Sequence, residues 1–329
     1  STGHIMQYGV MDTQKYPVAG TDYPRTFQEF DIWFASEENC LQYVAKLRWP
    51  DGFRCPACGV IAEIPSLMER GLYLCRQCKH QTSITAGTLF HKTHKPLRIW
   101  FLAMWFVTSQ KHGASALGLK RVLGLGSYNT AWEWLHKLRR GMVRPGRDQL
   151  KSPVEVDETY IGGVGTQIRG RGAEGKTIVA IAAEIRGKGP SRIRMAVVPD
   201  VSSESLHAFI EDNVQMGSEV RTDGWSGYKG LEAKGYRHKV INIAASGDAA
   251  HVVMPRVHRV ASLFSRVWLG THQGAIRPSH LAYYLDEFTF RFNRRNSKTR
   301  GLLFYRLMEQ AVDCAPAPRK ILIGGQPQP

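Results

Sequence analysis

Two aspartates stand in sequence surroundings where a carboxylate is costly. Asp157 lies within Val154-Glu155-Val156-Asp157-Glu158-Thr159-Tyr160, a run that alternates like a half-buried strand, and Asp223 follows Val220-Arg221-Thr222 and precedes Gly224. A carboxylate inside or at the end of a hydrophobic strand loses hydration, and that cost is offset by pairing or by a bound cation. Two such residues on neighbouring strands would converge. Phosphodiester chemistry by hard divalent ions needs that convergence, with one ion activating the attacking water or 3′-hydroxyl and another stabilising the leaving oxygen. Taken singly, each Asp also fits a turn or a cap, and Asp223-Gly224 is a common turn pair.

A second group of residues has a different chemistry. Cys55-Pro56-Ala57-Cys58 and Cys75-Arg76-Gln77-Cys78 are two CxxC knuckles with sixteen residues between them. A CxxC turn sets two thiolates on one side of an ion, and two such turns complete a tetrahedral zinc site. Four thiolates leave no open coordination position, so this Zn2+ is structural and holds a ribbon with little core of its own. Gly59 fits the turn after the first knuckle. Arg54, Arg76, Lys79 and His80 surround the knuckles and suit either phosphate contacts or a protein surface.

The elements that must position these residues follow from periodicity. Residues 26–47 show helical spacing, and an aromatic-rich helix is expected from about 96 to 110, with Pro96 suited to its first turn. Two short helices follow over 114–123 and 127–140, separated by Gly124 and Gly126, with Ser127 as N-cap. Such a pair suits a helix-turn-helix, with Tyr128 and Asn129 toward base edges and Lys137, Arg139 and Arg140 toward phosphates. A helical hairpin joining two domains is the other reading. Trp132 and Trp134 read as core or interface. Beyond a linker near 144–153, strands are expected over 154–161, 177–185, 193–198, 219–222 and 239–243. Helices are expected over 203–214, 253–269 and 280–292. That order is the order of a ribonuclease H-like α/β fold.

The chain has 329 residues, enough for two or three domains, with 44 Lys and Arg against 28 Asp and Glu, a net charge of +16. A field of that sign favours polyanions, nucleic acid first. No apolar run reaches the ~18 residues of a membrane span. A cytoplasmic, nucleoid-associated bacterial protein is expected, in which cysteines serve metal rather than disulfides.

Residues from about 26 to 310 resemble the zinc-ribbon insertion-sequence transposases of the DDE superfamily, with an ISXO-type nuclease domain. The resemblance rests on the two knuckles, on Val156-Asp157-Glu158-Thr159-Tyr160-Ile161-Gly162-Gly163 and on Thr222-Asp223-Gly224-Trp225-Ser226-Gly227-Tyr228. It also rests on Val257-His258-Arg259-Val260, Gly270-Thr271-His272-Gln273-Gly274 and Glu287-Phe288-Thr289-Phe290-Arg291-Phe292-Asn293-Arg294-Arg295. It implies Asp157 and Asp223 as the first two catalytic ligands of Mg2+ or Mn2+, and His258 as the third, where many such enzymes have Glu. Seven residues on, where the family usually has Lys, this chain has Ser265 beside Arg266. Arg259, Arg266, Arg294 and Arg295 are expected to meet DNA. Glu287 reads as part of a salt-bridge network with Arg291 or Arg294.

The expected architecture is multidomain: a flexible arm over 1–25, a helix plus zinc ribbon over 26–95, and an all-α helix-turn-helix domain over 96–145. An α/β ribonuclease H-like catalytic domain over 153–310 and a flexible tail over 311–329 complete it. The expected activity is a transposase that binds the terminal inverted repeats of its element, cleaves the ends and transfers strands into target DNA. Its partners are double-stranded DNA and a second copy in a homodimer, with neither a small-molecule substrate nor a membrane. A weakened or domesticated DNA-binding protein, and a nuclease that never joins ends, are the alternatives.

Overall fold

The computed structural model describes residues 16–324 apart from 66, 69–70, 145, 152, 163–175, 188, 243–246 and 248. Most of the expected arm, Gly163 and residues 325–329 of the expected tail lie outside the described residues.

The N-terminal side is helical. Helices α1 (Phe27–Trp33) and α2 (Glu37–Arg48) replace the single helix expected over 26–47. Ser36 causes the break: its backbone is extended (φ −121°) and its side chain accepts the Asn39 N–H, so a new helix starts there. The apolar spacing runs through the break because Phe30, Phe34 and Val44 all enter one core. Two antiparallel hairpins follow, β1 (Phe53–Arg54) with β2 (Ile61–Ala62), and β3 (Leu72–Leu74) with β4 (Gln81–Ser83). Helix α3 (Leu97–Ser109) has Pro96 at its cap and no side-chain cap of its own. The Glu37 carboxylate supplies one instead, accepting the N–H groups of Leu97 and Arg98 at 2.6 and 3.1 Å. Helices α4 (Ala116–Leu123) and α5 (Tyr128–Arg140) are joined as expected, with Gly124 left-handed (φ +60°) and Ser127 accepting the Thr130 N–H.

The C-terminal side is a five-stranded sheet of β5 (Val154–Ile161), β6 (Thr177–Arg186), β7 (Gly189–Val198), β8 (Glu219–Thr222) and β9 (Arg237–Val240). Its order is β7-β6-β5-β8-β9. The first three strands form an antiparallel meander, β8 runs parallel to β5, and β9 parallel to β8. Strand β9 starts two residues before its expected position; its apolar half carried the sequence signal, while the ladder pairs Arg237 with Glu219. One face of the sheet, with Val154, Val156, Ala180 and Ala182, packs on Leu206, Phe209 and Ile210 of α6 (Ser203–Asn213). The other face, with Val179, Ile181 and Ala183, packs on the helices that follow the sheet. These are the short α7 (Ala250–Val253), then α8 (Pro255–Gly270) and α9 (Leu281–Asn293).

Helix α10 (Gly301–Asp313) returns to the other side of the molecule. Its Leu303, Phe304, Leu307 and Met308 join the N-terminal core with α1, α2, α3, α5 and the ribbon residues Phe53 and Tyr73. Phe304, fully buried, meets Phe30 at 5.4 Å and Phe101 at 5.7 Å between ring centroids. Burial of each such ring stabilises by roughly 1.5–3 kcal/mol. The segment expected as a flexible tail is in part ordered: α11 (Arg319–Gly324) buries Leu322 beside Tyr283 and Ala317, and the Ile323 carbonyl lies 3.2 Å from His280 Nε2. Flanking prolines suggest a tail, but Ile321-Leu322-Ile323 has an apolar side chain to bury. Among the described residues, no helix is long and apolar enough to cross a membrane.

Candidate active site

Strand β5 is central, and its alternation sorts its side chains. Val154 and Val156 enter the α6 layer, while Glu155 and Asp157 face α8. The parallel register pairs Glu155 with Arg221; continued two residues, it sets Asp157 opposite Asp223, just past the end of β8. The Asp223 carboxylate accepts the Trp225 N–H at 3.0 Å, as the turn reading expects. Helix α8 brings His258 to the same edge, with Nε2 3.7 Å from Asp157 Oδ2.

Asp157 and His258 open on a cleft of about 320 Å³ lined also by Glu158, Tyr160, Lys176 and Val257; Asp223 lies outside that lining. His258 has its pKa below the ordinary imidazole value, through burial first and the His251 charge second, with Asp223 working in the other direction. That direction favours the neutral imidazole, the form that ligates metal. Its Nε2 is buried and has no hydrogen-bond partner among the described residues. Two ligand atoms each about 2.1 Å from a shared ion can stand up to about 4.2 Å apart, so the Asp157 to His258 gap suits a divalent cation. On the other face of β5, the Tyr228 hydroxyl donates to Glu158 Oε2 at 2.9 Å, which ties the segment after Asp223 to the strand.

The four cysteines converge as the spacing predicts. Cys55 and Cys78 sulfurs lie 3.6 Å apart, and Cys58 and Cys75 sulfurs 3.7 Å apart. Tetrahedral zinc with bonds of about 2.3 Å places its sulfurs about 3.8 Å from one another. Among the described residues this is the one group of three or more metal-ligating side chains with all ligand atoms within 4.8 Å. The two knuckles fold alike: Gly59 N–H donates to the Cys55 carbonyl and Lys79 N–H to the Cys75 carbonyl, both at 2.9 Å. Gly59 (φ +73°) and Lys79 (φ +60°) are both left-handed, so the second knuckle makes the same turn without glycine.

The expected DNA-contacting residues divide. Tyr128 and Asn129 are exposed in the first turn of α5, and Arg259 and Arg266 are exposed on α8. Arg139 is not available to DNA. It is 1% exposed, donates to Glu287 Oε2 at 2.8 Å and lies 3.9 Å from the Tyr284 ring. The physical reason is that α5 is covered on two sides, by the N-terminal core and by α9. Lys137 is largely covered and pairs with Glu133 at 2.8 Å, and Arg140 is half-buried. Arg294 and Arg295 lie over Phe290 and Phe292, each at 4.0 Å, and donate to backbone carbonyls, Arg295 to those of Pro190 and Ser191. Both are partly covered and make these contacts within the fold. Glu287 pairs with Arg139 and, at 3.4 Å, with Arg291, as the network reading expects.

Sequence reading passed over Glu155, which accepts two N–H groups of α8, and Lys176, which lines the cleft. Glu155 was within reach of it, because a period of two sets Glu155 on the face of Asp157.

Comparison with known proteins finds two transposase domain families along the chain. The transposase zinc-ribbon domain matches residues 35–81, and the ISXO2-like transposase domain matches residues 149–293. The chain thus carries a transposase zinc-ribbon domain followed by an ISXO2-like transposase domain. It is similar to the "Uncharacterized protein in transposable element ISH50" of Halobacterium salinarum, 29% identical over 280 residues that cover 78% of this chain and 91% of that one. A solved structure, that of a simian T-cell lymphotropic virus intasome in complex with PP2A regulatory subunit B56 gamma, covers 61% of this chain and 74% of its own. Its identity is 14% and its TM-score 0.28, which carries no argument about fold or function.

Proposed function

We propose that this protein is an active DNA transposase whose ribonuclease H-like sheet carries an Asp157, Asp223 and His258 site. It would bind the terminal inverted repeats of an insertion sequence, cut at the ends and join the 3′-hydroxyls to target DNA. The observation that carries this reading is the approach of His258 to 3.7 Å from Asp157, beside an Asp223 that continues a strand parallel to β5. The meander followed by two parallel strands supports the ribonuclease H-like class. Divalent ions, Mg2+ or Mn2+, held by these three side chains would supply activation of the nucleophile and stabilisation of the leaving oxygen.

The chain's own residues set the terms. Two carboxylates and a neutral imidazole give less negative charge than three carboxylates, which weakens Mg2+ binding relative to Mn2+. Among the described residues, Lys176 is the one Lys or Arg lining the cleft, and it suits a DNA phosphate. Ser265 is exposed on α8, two turns from His258, with Arg266 about 100° further around. Tyr128 and Asn129 at the start of α5 suit base edges in a helix-turn-helix. Two element ends must be held together, so a homodimer is the working assembly. The charge of +16 makes end binding strongly salt-dependent.

The test is cleavage of DNA carrying the ends of the protein's own element. Metal-dependent nicking at the ends, abolished by Asp157→Ala and by Asp223→Ala, is expected; full activity in both variants excludes the site. Ser265 favours one second reading, a DNA-binding protein whose chemistry has decayed. End-specific binding with no cleavage under either metal selects that reading.

A further inference from the structure

We propose that Glu155 is a positioning residue that fixes the start of α8 and thereby sets His258 opposite Asp157; this rests on the reading of Asp157 and His258 as ligands. Glu155 lies on the central strand, 2% exposed, where an ionised carboxylate is costly unless its oxygens are filled. They are filled by the first turn of α8: the N–H groups of Arg256 and Val257 donate to Oε2 at 2.7 and 3.1 Å, and the Arg256 guanidinium lies 3.4 Å from Oε1.

Helix α8 has no cap of its own. Met254 occupies the cap position without a side-chain hydrogen bond, and Pro255 opens the helix. The first N–H groups of a helix need an acceptor, and the positive end of its dipole favours an anion. Glu155 supplies both from a different element. The clamp ends at Val257, so the next residue is His258. The strand that carries Asp157 also grips the helix that carries His258, one side chain away on the same face. Register between the two groups is then set by β5 itself.

The molecule contains a control for this device. Glu37 caps α3 with the same pattern, accepting two N–H groups after a proline, but it is exposed and belongs to the helical side of the molecule.

The experiment is a titration of the full-length, zinc-loaded protein with Mn2+ alone, read by the electron paramagnetic resonance of free Mn2+. Amide hydrogen exchange of the metal-free protein is measured beside it. Glu155→Gln, which keeps one acceptor oxygen, is expected to weaken Mn2+ binding about 10- to 100-fold and to speed exchange at Arg256 and Val257. Glu37→Gln is expected to bind Mn2+ as the wild type does. If Glu155→Gln cannot be obtained folded, Glu155→Asp carries the same prediction through its shorter reach. Wild-type Mn2+ affinity in the Glu155 variant, with affinity lost in Asp157→Asn, overturns the positioning role and leaves the ligand reading intact. Wild-type affinity in Asp157→Asn overturns the ligand reading, and the positioning role with it.

Discussion

Arg139 and Glu287 show how the same residue types serve two purposes in a basic protein. Arg139 ends a helix with Lys137 and Arg140, a pattern that suits phosphate contacts, yet it is sealed against a carboxylate 148 positions away. Removing one partner of a buried pair leaves the other charge uncompensated, at a cost of about 3–5 kcal/mol. Arg139→Met is therefore expected to lower unfolding free energy by that order in denaturant melts, while an exposed arginine such as Arg259→Met costs little. Equal, small losses in both variants would place Arg139 outside the stabilising network. The candidate catalytic pair was easier to find in the sequence. Asp157 and Asp223 each break an apolar strand pattern, and that conflict is local. The partner of Arg139 is not local, and no periodicity announces it.

Among elements, the ribbon and α8 depend on others for their order. The ribbon hairpins are two or three residues long, and Phe53, Cys55, Tyr73 and Cys75 are buried in a core completed by α2 and α10. Zinc thus stabilises more than the knuckles. Cys58→Ser is expected to lose the bound zinc, measured by elemental analysis, and to lower the melting temperature of the helical side by several degrees. A variant that keeps one zinc per chain contradicts the four-thiolate site. Strand and helix positions were mostly legible: β5 and β8 stand over the residues where the sequence pattern predicts strands. The division into α1 and α2 was not, since a helix break that keeps every apolar residue in one core leaves the spacing almost unchanged. The capping of α3 and α8 by Glu37 and Glu155 was illegible for another reason: a cap borrowed from a distant element has no Ser/Thr/Asp signature at the helix start.

In the whole molecule, the N-terminal core and the sheet meet where α5 packs on α9. His136 is buried there against Tyr283, Tyr284 and His280, and His272 stands 4.7 Å from Tyr284. Burial, followed by the Arg139 charge, lowers the His136 pKa to about 2 and that of His272 to about 4. Both are neutral in the fold, whereas in the unfolded chain they gain protons below about 6.5. The unfolded state then binds more protons, so stability is full above that value and is lost as pH falls from 6.5 toward 4. The slope is about 1.4 kcal/mol per pH unit for each proton. Denaturant melts between pH 7 and 4.5 are expected to show it, and His136→Phe to flatten it by one proton. An unchanged slope in that variant would remove His136 from the junction's acid response.

That junction also joins α5, with its exposed first turn, to the side of the molecule that holds Asp157, so the proposed DNA recognition and chemistry would share one frame. The claim at the centre of this account is that the frame joins DNA as well as cutting it. Strand transfer decides that point: labelled DNA ending in the element's 3′-hydroxyl is incubated with target DNA, full-length protein and Mn2+ or Mg2+. The account predicts joined products, better with Mn2+, absent in Asp157→Asn and Asp223→Asn, and increased when Ser265→Lys restores the cation on α8. Hydrolysis without joined strands under both metals, in the wild type and in Ser265→Lys alike, would contradict it.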